Sequence, residues 1–285
     1  MTALFGPAGN SDSFSERGYK TTVEAPAYVH NFGLTAYEYQ CGHGVRVNEK
    51  SALAFRENAE KYGITVSLHA PYYISLSSIE REKRDNSIDY ILQSAKAAKL
   101  IGAKRVVVHS GSAGKISREE ALALAKDTLF RAKERLRDEG LDDIILCPET
   151  MGKLNQLGDL QEVMALCKVD DSFLPCIDFG HLNARTFGSL KTAADYAAVL
   201  DTVENELGRD RLCRFHSHFS KIEYTLNGGE KRHLLFDDCI YGPEFEPLAE
   251  LIAKRGLTPT FICESAGTQA EDAKTMQELY FKYQK

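Results

Sequence analysis

Four of the chain's eight histidines stand where strands would end. His69 closes "TVSLH", His109 closes "RVVVH", His216 lies near the end of "CRFHSH", and His181 follows Asp178 by three residues in "CIDFGHLNA". Glu149 closes "IILCPE", Asp178 lies near the end of "LPCIDF", and Glu264 closes "TFICE". Imidazole and carboxylate without thiolate form a donor set for Zn²⁺, with Mn²⁺ or Fe²⁺ as alternatives. A lone His or Glu at a strand end is ordinarily a hydrogen-bonded structural residue. Ligating side chains at six successive strand ends are a different matter. Buried ionisable groups that converge are costly unless they are paired or metallated. The donors also exceed what one tetrahedral ion can take. A carboxylate such as Glu149 or Glu264 can bridge two ions, and ions roughly 3.5–4 Å apart are a usual device for phosphoester hydrolysis.

The elements that must position these residues follow from periodicity. Short apolar runs lie at 3–6, 36–39, 65–69, 105–109, 144–149, 174–179, 213–218 and 260–264. They are rich in β-branched and aromatic residues, as strands prefer. Helical patterns lie between them, near 48–62, 86–103, 117–140, 158–168, 192–207, 243–255 and 268–283. Ser117 with Glu120 reads as a capping box, and Gly102 and Gly140 read as helix stops. Eight strand-then-helix units in series predict a single (β/α)₈ TIM barrel over residues 1–285, with the metal site at the C-terminal ends of the strands. Cys147 and Glu149 share a strand face, as do Cys176 and Asp178. Small thiols beneath ligands fit a barrel interior.

Composition narrows the function classes. The formal charge is −6, so no global basic field advertises nucleic acid. A local basic groove is still compatible with it. The seven Cys form no CxxC pair, and buried free thiols in a reducing compartment are expected. No basic-then-apolar leader opens the chain, and no run approaches the roughly 20 apolar residues of a membrane span. A cytoplasmic monomer, outside any membrane, is the expectation.

The segments "SLHAPYY", "VVVHSGS", "CPETMGK", "IDFGHLNAR", "FHSHFSK", "KRH" and "ICES" together resemble endonuclease IV. These are the metal-dependent apurinic/apyrimidinic endonucleases of the xylose isomerase-like TIM barrels. The resemblance runs from about residue 4 to 280. It implies metal ligands at His69, His109, Glu149, Asp178, His181, His216, His233 and Glu264. It implies zinc, and cleavage of damaged double-stranded DNA 5′ to an abasic site by a metal-activated hydroxide. It also implies that Tyr72 meets the DNA at the damaged site. The family has an acid two residues before its last His, and this chain has Lys231 there. A Lys ammonium is a poor ligand. Two or three ions are therefore expected, the third depending on whether the neighbouring Glu230 substitutes.

Other residues have weaker claims. His218 shares the face of His216 and is read as backing a ligand or meeting substrate. Arg46, Lys153, Arg185 and Lys221 follow strands and are candidates for phosphate contact. His43 lies in a Gly-rich loop, and Glu38 and Gln40 end the second run and could line the mouth. His30 is read as structural. The rival function is a sugar isomerase or epimerase of the same superfamily, in which Glu149, Asp178, His216 and Glu264 hold one ion. His69, His109 and His233 are surplus to that need.

Overall fold

The computed structural model describes residues 2–284. All eight apolar runs are strands: β1 Leu4–Pro7, β2 Ala36–Gln40, β3 Thr65–His69, β4 Arg105–His109, β5 Ile145–Glu149, β6 Cys176–Asp178, β7 His216–Phe219 and β10 Thr260–Cys263. They pair in parallel in the order β1-β10-β7-β6-β5-β4-β3-β2. The remaining seam, between β1 and β2, closes through a bridge of Ala8 to Glu38 and a bond from Thr35 N to Phe5 O. Gly6 permits that closure, since a Cβ there would stand 1.7 Å from Ala36 O. The product is a nearly closed TIM barrel wrapped by helices.

The helices begin and end where local chemistry directs. Asn48 accepts from Ser51 N at the start of Glu49–Tyr62. Ser117 and Glu120 form the reciprocal capping box that starts Arg118–Asp138. The mixed-charge run at 80–85 opens Arg81–Ile101, and left-handed Gly102 ends it. His30 lies in the helix Ala25–Asn31. No helix among the described residues is long and apolar enough to cross a membrane.

Two cores result. The larger lies between the barrel and its helices, where Phe5 stacks on Phe261 and meets Phe245 edge-on. The smaller, of Val107, Cys147, Leu174 and Cys176, fills the barrel axis. Every cysteine is free, and five of the seven are buried.

The segment after β7 departs from the strand–helix alternation. It forms an antiparallel hairpin, β8 Lys221–Thr225 and β9 Gly229–Leu234, set over one side of the barrel mouth. The hairpin docks on the loop after β5 through Glu230 N to Gly152 O and Leu154 N to Gly228 O, each 3.1 Å. Gly229 has φ +76°, and a Cβ there would stand 2.3 Å from Gly152 O. An L-residue in that conformation costs about 1–2 kcal/mol before the clash is counted. Gly229→Ala is therefore expected to undock the hairpin while sparing the barrel. Hydrogen exchange should quicken at β8 and β9 and stay slow in β3–β6; unchanged exchange in the hairpin would contradict this docking.

Candidate metal centre

Inward-facing residues alternate along each barrel strand, so they stack in layers. Register sets their depth. Asp178 pairs with His218, and Cys176 pairs with His216. His109 pairs with Glu149. The mouth layer thus holds His69, His109, Glu149, Asp178, His218 and, just past β10, Glu264. A layer below it holds Glu38, Ser67 and His216.

Glu149 is the hub. Its Oε2 lies 3.5 Å from His69 Nε2 and 3.4 Å from His109 Nε2. Its Oε1 lies 2.9 Å from His218 Nδ1 and 3.5 Å from His181 Nδ1. Donor atoms of Glu149, Asp178, His218 and Glu264 fall within 4.8 Å of one another, as do those of His69, Glu149 and His218. A third group on the same scale is His181, Glu230 and His233.

Backbone carbonyls orient the rings. His69 Nδ1 faces Ala70 O at 2.8 Å, and His181 Nδ1 faces Thr150 O at 2.9 Å. An N–H donated there leaves each Nε2 as the ligating nitrogen. Asp178 Oδ1 accepts from His181 N at 2.7 Å and so caps the short helix Phe179–Arg185. The D-x-x-H spacing is the geometry of that cap.

The charge balance calls for a cation. Glu149 Oε2 and Asp178 Oδ2 are buried and accept no hydrogen bond. Orphaned buried carboxylate oxygens are costly, and a divalent ion satisfies them. Burial opposes ionisation of Glu149, but His218, His69 and His109 around it together outweigh burial and hold the carboxyl well below its usual range. Burial pushes the Glu264 carboxyl up. Burial also lowers His109 to about 3, which leaves a neutral ring suited to a metal. Burial alone would lower His181 too, but Asp178 and Glu230 outweigh it and raise that ring to about 9. The donors, their burial and the orphaned oxygens all fit resident metal.

The structure places several expected site residues away from the mouth or engages them elsewhere. His216 is not at the mouth. It begins β7, is fully buried, and gives its Nε2 to Glu38 Oε2 at 2.9 Å. His218, on the same face and one pleat higher, takes the mouth position. Lys221 is not free for substrate, since its buried Nζ contacts Asp238 O at 2.8 Å and Glu244 at 2.6 Å. Arg185 is likewise spent on the carbonyls of Met151, Lys153 and Gln156.

The hairpin resolves the Lys231 departure. Arg232 pairs with Glu223 and Glu230 with Tyr224, so Lys231 is the extra residue of a β-bulge. A bulge turns neighbouring side chains to the other face. Lys231 points out to Glu223, while Glu230 turns in, 3.4 Å from His181 Nε2. Its partner His233 is held by Ser220 Oγ at 2.8 Å.

Two adjoining cavities of about 440 and 420 Å³ open over the site and share Tyr72, His233 and Glu264 as lining. Tyr72 is half-exposed and stacks on His109 at 5.4 Å. Burial and then Glu264 push its hydroxyl up to about 12, so it remains a neutral phenol. Arg46 lines one cavity with His43, and Lys153 lines the other. These are the two basic residues of the expected set that stay available. Gln40 does line the mouth, but Glu38, expected beside it, is fully buried a layer below and borders neither cavity.

Comparison with known proteins bears on this geometry. A family model described as xylose isomerase-like TIM barrel matches residues 26–282. An uncharacterized protein of Methanocaldococcus jannaschii is 34% identical over 262 residues, covering 92% of this chain and 91% of that protein. A probable endonuclease 4 of Mycoplasma pneumoniae is 28% identical over 216 residues, covering 74% of this chain and 70% of its own. Endonuclease IV from Thermus thermophilus superposes with TM-score 0.70 at 20% identity, covering 99% and 98% of the two chains. A D-tagatose 3-epimerase-like protein superposes with TM-score 0.72 at 18% identity, over 99% and 98%. These structural likenesses establish the fold alone.

The bulge generates a prediction. Glu230→Gln should weaken Zn²⁺ binding at the hairpin side by at least about tenfold. Lys231→Asp should leave it unchanged, because that side chain faces away. Calorimetric titration of both variants checks this. Equal affinity in Glu230→Gln, or a large change in Lys231→Asp, would show that Glu230 is not the acid of this group.

Proposed function

This chain belongs to the xylose isomerase-like TIM barrel family, and we propose that within it the protein is a metal-dependent endonuclease of the endonuclease 4 kind, hydrolysing the phosphodiester 5′ to an abasic site in duplex DNA. The observation that carries the reading is the surplus of donors. Beyond the quartet Glu149, Asp178, His218 and Glu264, the mouth gathers His69 and His109 around Glu149, and His181 meets Glu230 and His233 of the hairpin. One ion cannot use them all. The relatives described as probable endonuclease 4 support the same reading.

Zinc is the proposed metal, in two or three sites, held by His69, His109, Glu149, Asp178, His181, His218, Glu230, His233 and Glu264. When bound, such ions lower the pKa of water and neutralise phosphate charge. The chain's own groups supply the rest. Glu149 Oε1 and Oε2 face different histidines, so one carboxylate ties the donor groups together. Glu264 borders both cavities, so its carboxylate stands beside any water or substrate that enters. Tyr72, exposed above His69 and His109, offers a ring to stack on a sugar or base and a hydroxyl to donate. Arg46 and Lys153 line different cavities over the ligands and suit phosphates that flank the scissile one.

The second reading is a sugar epimerase. The quartet Glu149, Asp178, His218 and Glu264 favours it, because those four suffice for one ion. The two readings part on substrate. A duplex with one abasic analogue should be nicked by the zinc-loaded protein, spared after chelation, and nicked again when zinc is restored. An intact duplex should be spared throughout. Absence of nicking, with proton exchange or epimerisation of a ketose instead, would overturn the endonuclease reading.

A further inference from the structure

Among the described residues, Glu38 is the buried carboxylate below the mouth that the reading above does not use. It is fully buried at the centre of β2, and its oxygens meet four donors. Oε2 accepts from Ser67 Oγ and His216 Nε2, each at 2.9 Å. Oε1 accepts from Gln40 Nε2 at 3.2 Å and lies 2.9 Å from His218 Nε2. The last contact is an ion-pair distance with a bent approach, so it falls short of a full hydrogen bond. Among the described residues, Glu38 borders neither cavity over the site. Its task must therefore pass through a residue that does reach the ligands.

His218 is that residue. Its two nitrogens face opposite ways. Nε2 looks down to Glu38 and Nδ1 looks up to Glu149 at 2.9 Å and Glu264 at 3.5 Å. Only the upper side has orphaned oxygens, on Glu149 and Asp178. Resting on the metal reading, we propose that Glu38 is a positioning residue: it holds the proton on His218 Nε2, presents Nδ1 as the ligand, and makes that ligand more basic. A carboxylate behind a ligating imidazole does both. His216 and Ser67 hold Glu38 in turn, which gives the deeper histidine a role below the mouth. The consequence is that ion affinity depends on a strand whose side chain never touches the ion.

The test uses the full chain and Zn²⁺ or Co²⁺ alone. Competition with a chromophoric chelator gives the affinity of wild type and Glu38→Gln. An amide accepts less strongly than a carboxylate, and the variant should lose about 10- to 100-fold in affinity. Its Co²⁺ absorption bands should shift, a change that mere loss of stability would not cause. Equal affinity and unchanged bands would overturn the role of Glu38 alone. A wild type that takes up no ion would overturn the metal reading beneath it. Wild-type protein labelled with ¹⁵N at histidine decides the point should Glu38→Gln fail to fold. In the zinc-loaded form His218 should carry its proton on Nε2 with Nδ1 shifted by the metal, and the reverse assignment would overturn the proposal.

Discussion

The structure depends on one buried carboxylate. Glu149 lies at the barrel axis with four imidazoles within 3.5 Å of its oxygens. A charge so deep is tolerable only if positive groups surround it. Strand parity directs the histidines of β3, β4 and β7 there, and the Asp178 cap of the short helix after β6 directs His181. Beneath them Glu38, Ser67 and His216 form a buried polar layer, beside the small apolar cluster of Val107, Cys147, Leu174 and Cys176. Packing below and charge above are parts of one arrangement. Burial lowers the dielectric at the mouth and strengthens the attraction between Glu149 and the rings around it.

The hairpin completes the site from outside the barrel. It adds Glu230 and His233 to His181, and it docks by backbone bonds to the loop after β5. Its bulge reconciles two needs that a regular strand could not meet together. Regular alternation would set Lys231 on the face of His233, and the extra residue sends the cation outward to Glu223. A basic residue therefore occupies a place where the resembling family has an acid without spoiling the donor group.

Much of this was legible in the sequence because it rests on period and parity. Eight apolar runs at strand length matched the eight barrel strands, and the capping signals at Ser117 and Gly102 marked helix ends. Parity told which side chains point inward. It could not tell how deep they lie, which is why His216 and His218 exchanged roles: both face the axis, and only the pairing with Cys176 and Asp178 separates them. The hairpin was missed because its strands cover a local site and lack the apolar runs of a buried sheet. The fates of Lys221 and Arg185 depend on carbonyls distant in sequence, and no local pattern reveals those. The charge of Glu38 was visible, but the histidines that fix its task come from the far side of the barrel.

The central claim is that the mouth holds a cluster and not a single ion. Elemental analysis of protein purified without chelator and equilibrated with zinc tests it most directly. The account predicts at least two transition-metal ions per chain. One ion per chain, unchanged by added zinc, would contradict it.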